Sequence, residues 1–224
     1  VCIWCLDDLP QTWFWAMERN PMADRFNIMA EDSRYCFAAA LFFYRRGSAF
    51  REITRGLKYR GEFSQGRLFG RMLGRKLLSS PGHIFEDVSL IVPVPLHWTR
   101  KLLRGYNQAA VIAKALAGEL GAPIDCNLLS RRRRTKSQTM LDSEGKNVEN
   151  AFVVRRRAKL RQRGRGTALS GGRSTNKKAG IPGHIVLVDD VFTTGATLAA
   201  CHKALRKVFG AETRISVVTL GYAG

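Results

Sequence analysis

Residues 185–198 read IVLVDDVFTTGATL, and this stretch decides the fold. With His184 in front of it, the apolar run ending at Val188 has the pattern of a strand buried on both faces of a parallel sheet. That strand delivers Asp189 and Asp190 at its end. Thr193, Thr194, Gly195, Ala196 and Thr197 then open a helix, whose free N–H groups and dipole favour a phosphate. Gly195 lets the backbone come close to such a group. Adjacent acids beside a phosphate cradle make one sugar-phosphate site. The two acids accept hydrogen bonds from ribose hydroxyls, and the threonine hydroxyls and turn amides hold the 5-phosphate. The plainer alternative is a capped helix after a buried strand, with two solvated acids.

Working outward, residues 88–94 (VSLIVPV) form a second short, β-branched run, limited at its end by Pro93 and Pro95. Residues 107–120 follow as a helix with Ala110, Ile112, Ala113, Leu116 and Leu120 on its apolar face, Asn107 as N-cap and Gly121 as stop. A strand is expected near residues 124–129. Upstream, residues 34–44 (RYCFAAALFFY) read as a strand or a buried helical turn, with strand preferred. Residues 48–58 and 62–79 read as amphipathic helices, the second ended by Ser80, Pro81 and Gly82. Downstream, residues 197–209 are predicted helical and 213–220 a last strand. Strand and helix alternate as in a doubly wound α/β sheet, whose ligands sit at the C-terminal ends of its strands.

The chain has 224 residues, 45% hydrophobic and 25% charged, which suits one main α/β domain with a small appendage. No apolar run approaches the length of a bilayer span, and residues 1–10 do not read as a signal peptide, so a cytoplasmic location is expected. The chain starts at Val1 rather than Met, which suggests that it begins inside a longer one. The net charge of +19 favours a polyanionic partner or a phosphate-rich ligand. About half of that excess lies in residues 151–183, where ten basic residues occur with no acidic one. This basic insertion, residues 155–183, reads as a low-complexity linker without a core.

Five cysteines in such a chain point to reduced thiols. Cys36, Cys126 and Cys201 read as small core residues. Cys2 and Cys5 form a single C-x-x-C, a candidate partial zinc site, since a structural zinc ion needs four ligands.

IVLVDDVFTTGATL is similar to the signature of type I phosphoribosyltransferases. Three further blocks narrow the resemblance to the ComF/GntX group, the competence-protein-like branch: GLKYRGE at 56–62, VPVPLHWTRKLLRGYNQA at 92–109 and RRRRTKSQTMLDSEGKNVENAF at 131–152. The resemblance implies a type I phosphoribosyltransferase fold, a mainly parallel doubly wound sheet with a flexible hairpin loop and a small N-terminal hood. Residues 1–33 would be an N-terminal segment, a candidate remnant of a zinc element, and residues 34–224 the phosphoribosyltransferase-like domain.

The resemblance also implies that phosphoribosyl diphosphate is bound with Mg²⁺. Val94, Pro95, Leu96 and His97 would form the diphosphate loop, supported by Arg100, Arg104, Asn107 and Gln108, with Lys58 nearby. Arg131, Thr135, Gln138, Lys146 and Asn147 would belong to the flexible loop that closes over the site. Lys146 stands where the family usually has Arg, which keeps the charge but loses bidentate phosphate geometry. Structural Zn²⁺ would require cysteines upstream of Cys2. No covalent nucleophile is needed, because positioning and neutralisation of the leaving diphosphate would carry the transfer. The competing function class is a DNA-uptake accessory protein that binds single-stranded DNA and a helicase partner. Homo-oligomerisation is compatible with either.

Overall fold

The computed structural model describes residues 9–44, 63–96, 105–131, 151–155 and 181–224. Ten helices and strands are named here in chain order: α1 (Pro21–Ala30), β1 (Ala38–Phe43), α2 (Phe63–Leu78), β2 (Leu90–Pro93), α3 (Gln108–Leu120), β3 (Leu129–Arg131), β4 (Phe152–Val154), β5 (His184–Phe192), α4 (Ala196–Phe209) and β6 (Arg214–Tyr222). The expected helix at residues 48–58 and most of the basic insertion fall outside the described residues.

The four apolar runs pair in the order β1-β6-β5-β2, every pair parallel. Residues 38–42 of β1 and 185–188 of β5 are wholly buried, as continuous apolar composition demands of strands covered on both faces. Residues 34–44 thus hold a strand and not a helical turn.

Connections fix the layers. The chain leaves β5, passes through α4 and returns as β6, stepping towards β1. It leaves β2, passes through α3 and runs beside the outer edge of β2, where Ile91 bridges Ile124 in parallel. Right-handed crossovers that step in opposite directions place their helices on opposite faces of the sheet. In agreement, α3 packs with α2 against β2 and β5, whereas α4 packs with α1. The α2–α3 contact is close because Gly70 has no side chain: a Cβ there would stand 2.7 Å from the Ile112 carbonyl oxygen.

Three sequence expectations change. Instead of a strand over 124–129 there is the single bridge at Ile124, and β3 starts only at Leu129. The cause is local: the Asp125 carboxylate accepts the Asn127 N–H at 2.8 Å, an Asx turn that breaks the extended chain. The same turn leaves Cys126 half-buried, not in the core, while Cys36 and Cys201 are buried as expected. Finally, β5 does not end at Val188. It continues along β6 to Phe192, with Asp189 opposite Thr219 and Phe192 opposite Tyr222.

At the other edge, residues 10–12 run antiparallel to β1. Thr12 N–H donates to Leu41 O at 3.1 Å and Phe43 N–H to Pro10 O at 2.8 Å, so this segment covers the β1 edge. Asn20 caps α1 by accepting the Ala23 N–H at 2.9 Å. β3 and β4 form an antiparallel pair whose buried Leu129 and Phe152 join the core, with β4 packed on α4; they are the two ends of the expected hairpin loop. Among the described residues no helix is long and apolar enough to cross a membrane.

Candidate functional site

Because the chain turns opposite ways after β2 and after β5, a crevice opens at the C-terminal ends of these neighbouring strands, the topological switch point where open α/β sheets bind ligands. The two strands end at different heights. β2 stops with Pro93 opposite Val188, and the Val94 N–H still donates to Val188 O at 2.8 Å. Beyond that rung β5 keeps, among the described residues, only β6 as a strand neighbour, and Asp189, Asp190 and Val191 are half-buried at the lip of the crevice.

Backbone amides hold both acids. The Asp190 N–H donates to Asp189 Oδ1 and the Val191 N–H to Asp190 Oδ1, each at 2.8 Å. Asp189 also faces α4. Its charge adds to burial in pushing the Cys201 thiol well above its ordinary pKa, while the charge of Arg131 opposes it. Arg131, from the hairpin, stands over the Phe152 ring at 5.5 Å on the side where β4 packs against α4.

The turn that follows is shaped by Gly195. Its φ of +85° lies in the left-handed region, and a Cβ would stand 2.5 Å from Phe192 Cζ and 3.2 Å from Met29 Sδ. Gly195 is also the N-cap of α4 and gives no side-chain cap. The Thr194 hydroxyl accepts the Ala196 N–H at a long 3.4 Å. Thr193 and Thr194 are exposed, Ala196 and Thr197 half-buried. Amides and hydroxyls at the positive end of a helix are a general anion receptor.

The other wall is the segment after β2. Val94 is buried, Pro95 and Leu96 half-buried. Asn107 does two jobs: its Nδ2 donates to Val94 O at 2.9 Å and its Oδ1 accepts the Ala109 N–H at 3.1 Å, clamping this segment to the start of α3. The adjacent Gln108 is buried, and its Nε2 has no hydrogen-bond partner among the described residues. The structure thus brings together Asp189, Asp190, Thr193, Thr194, Gly195, Ala196, Thr197, Val94, Pro95 and Leu96, while Arg131 lies at the start of the hairpin over Phe152. Cys2, Cys5, Lys58, His97, Arg100, Arg104, Thr135, Gln138, Lys146 and Asn147 lie outside the described residues.

Two polar clusters elsewhere escaped the sequence reading. At the N-terminal ends of the strands, His184 Nε2 meets Ser216 Oγ at 2.9 Å and Nδ1 meets Asp87 Oδ1 at 3.0 Å. This is the connectivity of a hydrolytic triad, but His184 and Ser216 are fully buried, and Arg214 bonds Asp87 as well. No substrate reaches it, and the cluster ties the turn before β2 to β5 and β6.

The second cluster, between α1 and α4, groups Asp32, Cys36 and His202, whose donor atoms all lie within 4.8 Å. It resembles a metal centre by composition. However, the Asp32 oxygen nearest His202 (2.9 Å) also accepts two Arg206 N–H groups, at 2.9 and 2.5 Å. Burial, with Asp32 nearby, pushes the Cys36 thiol up to about 12, and burial pushes His202 down to about 4. Carboxylate and guanidinium already neutralise each other, and thiol and imidazole stay uncharged. A cation there would have to displace these contacts. The sequence hints were His184 at the head of an apolar run and, for the second cluster, His202 one helical turn before Arg206.

No family model matches the chain. It is 29% identical over 166 residues to competence protein F of Haemophilus influenzae, an alignment covering 73% of this chain and 64% of that protein. It is 29% identical over 161 residues to the DNA utilization protein YhgH of Escherichia coli, covering 69% and 61%. Against YhgH of Salmonella typhimurium the identity is 32% over 127 residues, covering 56% and 46%. The chain is thus similar to ComF-like competence and DNA utilization proteins, the same group its motifs resemble. The chain spans less than two thirds of the length of these relatives.

Proposed function

We propose that the protein serves DNA uptake or use, and that its crevice is a phosphoribosyl diphosphate site brought to that role. The first part rests on the relatives, named for competence and for DNA utilization, and agrees with the net charge of +19. Single-stranded DNA and a helicase are the partners expected for it.

The second part is carried by one observation, the Gly195 turn. A left-handed glycine as N-cap of a helix, directly after two acids at a strand end, suits a phosphate ester joined to a diol. On this reading the fold is that of a type I phosphoribosyltransferase. Asp189 and Asp190 accept hydrogen bonds from the ribose hydroxyls, residues 193–197 hold the 5-phosphate, and residues 94–96 line the diphosphate side. Bound Mg²⁺ supplies charge neutralisation for the diphosphate. Arg131 closes the crevice from the hairpin. If the donor is turned over, the residues act by orientation and water exclusion, without a covalent nucleophile.

Calorimetric titration with phosphoribosyl diphosphate and Mg²⁺, followed by a screen for diphosphate release with candidate bases, tests the site. Saturable binding supports it, and absence of binding to a folded protein removes it. Binding to labelled single-stranded DNA tests the role separately.

A further inference from the structure

The basic insertion carries no aromatic residue, so it offers charge without a surface on which bases can stack. The described residues supply such a surface elsewhere. Helix α2 contains no acidic residue. Its exposed Arg67, Arg71 and Arg75 recur every fourth position, forming one stripe with a spacing of about 6 Å. Among the described residues Arg67 and Arg71 make no ion pair, and Arg75 pairs with Glu119 at 3.1 Å while staying 72% exposed.

Aromatic rings stand at both ends of this stripe. At the start of α2, beside the crevice end of the sheet, Phe63 is 39% exposed with its ring 4.5 Å from that of Tyr106. Near the other end, Lys76 Nζ lies 5.2 Å from the Trp13 ring and 5.4 Å from the Trp15 ring. Trp15 is buried, but Trp13 is 53% exposed, and its backbone sits at φ 60°, ψ 12°. A bulky residue in the left-handed region is unusual and persists only where its surroundings enforce it. Here the Trp15 ring at 5.4 Å and the Lys76 ammonium hold it, with its indole turned to solvent.

We propose that the outer face of α2, from Phe63 through the arginine stripe to Lys76 and Trp13, is a docking track for single-stranded nucleic acid. The arginines follow the phosphates, and the terminal rings stack on bases. Charge complementarity selects a polyanion, and exposed rings at both ends select one whose bases are unpaired. The proposal rests on the DNA reading above but concerns a face of the molecule distinct from the crevice.

The test uses the whole chain and a labelled oligothymidylate of about 12 nucleotides, with fluorescence anisotropy across a salt series. Arg67→Gln with Arg71→Gln should weaken binding and reduce the slope of log K against log salt by about 1.4, two single-strand phosphate contacts. Trp13→Asn, which tolerates the left-handed backbone, should weaken binding at least about fivefold at every salt concentration. Arg25→Gln with Lys207→Gln removes equal charge from the opposite face and should leave the slope unchanged. If the unaltered chain does not bind, the DNA reading fails and the track with it. If it binds and the α2 pair behaves like the control pair, the DNA reading stands and the track is wrong.

Discussion

Replacing Gly195 by Ala probes the turn on which the crevice depends, and its cost can be worked from the geometry. The left-handed backbone at φ +85° costs a non-glycine residue about 1–2 kcal/mol. The new methyl would also meet the Phe192 ring at 2.5 and 2.9 Å. Phe192 is fully buried and packs on Tyr222 with ring centroids 5.7 Å apart, so it cannot swing away freely. Overpacking of this kind costs about 1–3 kcal/mol. Met29 Sδ, at 3.2 Å, is the end of a flexible chain and adds little. Together the expected loss is about 2–5 kcal/mol, read from urea midpoints at constant m-value. The two causes separate in a double-mutant cycle. In a Phe192→Leu background the steric part should shrink by about 1–2 kcal/mol and the backbone part should remain. A Gly195→Ala protein within about 0.5 kcal/mol of the parent would show that position 195 neither needs a left-handed glycine nor is crowded by Phe192.

Acid should weaken the fold through His202. Its folded pKa of about 4 lies below the unfolded value of 6.5, so the imidazole is held neutral. Stability is then fully present above pH 6.5 and is lost as pH falls towards 4, by up to about 3 kcal/mol. His184, also lowered mainly by burial, acts in the same direction. Urea midpoints between pH 7.5 and 5 check this, and His202→Gln should flatten the slope. Asn107→Ala should cost about 1 kcal/mol as a lost N-cap and, by freeing Val94 O, should weaken diphosphate-dependent binding more than it weakens the fold. Deleting residues 156–180 should leave phosphoribosyl diphosphate binding intact while flattening the salt dependence of any DNA binding; loss of donor binding in a folded deletion variant would place that segment in the site.

The elements that surround the crevice were legible because their signals are local. Residues 185–188 and 90–93 are apolar without interruption, and Asn107 and Gly121 occupy the two caps of α3 as their side chains and φ values require. What failed was also local, but of a kind that periodicity does not report. The Asx turn at Asp125 cut short an apolar run that read as a strand. Two adjacent acids read as a strand end, yet β6 is long enough to keep pairing with β5 as far as Phe192. The remaining features depend on contacts between distant segments. Nothing near Trp13 announces Lys76, and nothing near His202 announces Asp32. The position of Asp189 and Asp190 at an open lip follows from β2 stopping early, which only strand order makes visible.

The central claim is that these two acids hold a ribose. Calorimetric titration of the parent protein and of the Asp189→Asn, Asp190→Asn double variant with phosphoribosyl diphosphate and Mg²⁺ tests it most directly. Both acids are half-buried at the lip, and amide oxygens can still accept the N–H bonds that the carboxylates accept now, so the fold should persist. The double variant is expected to lose at least tenfold in affinity, about 1.4 kcal/mol. Equal affinity in a folded double variant would contradict it.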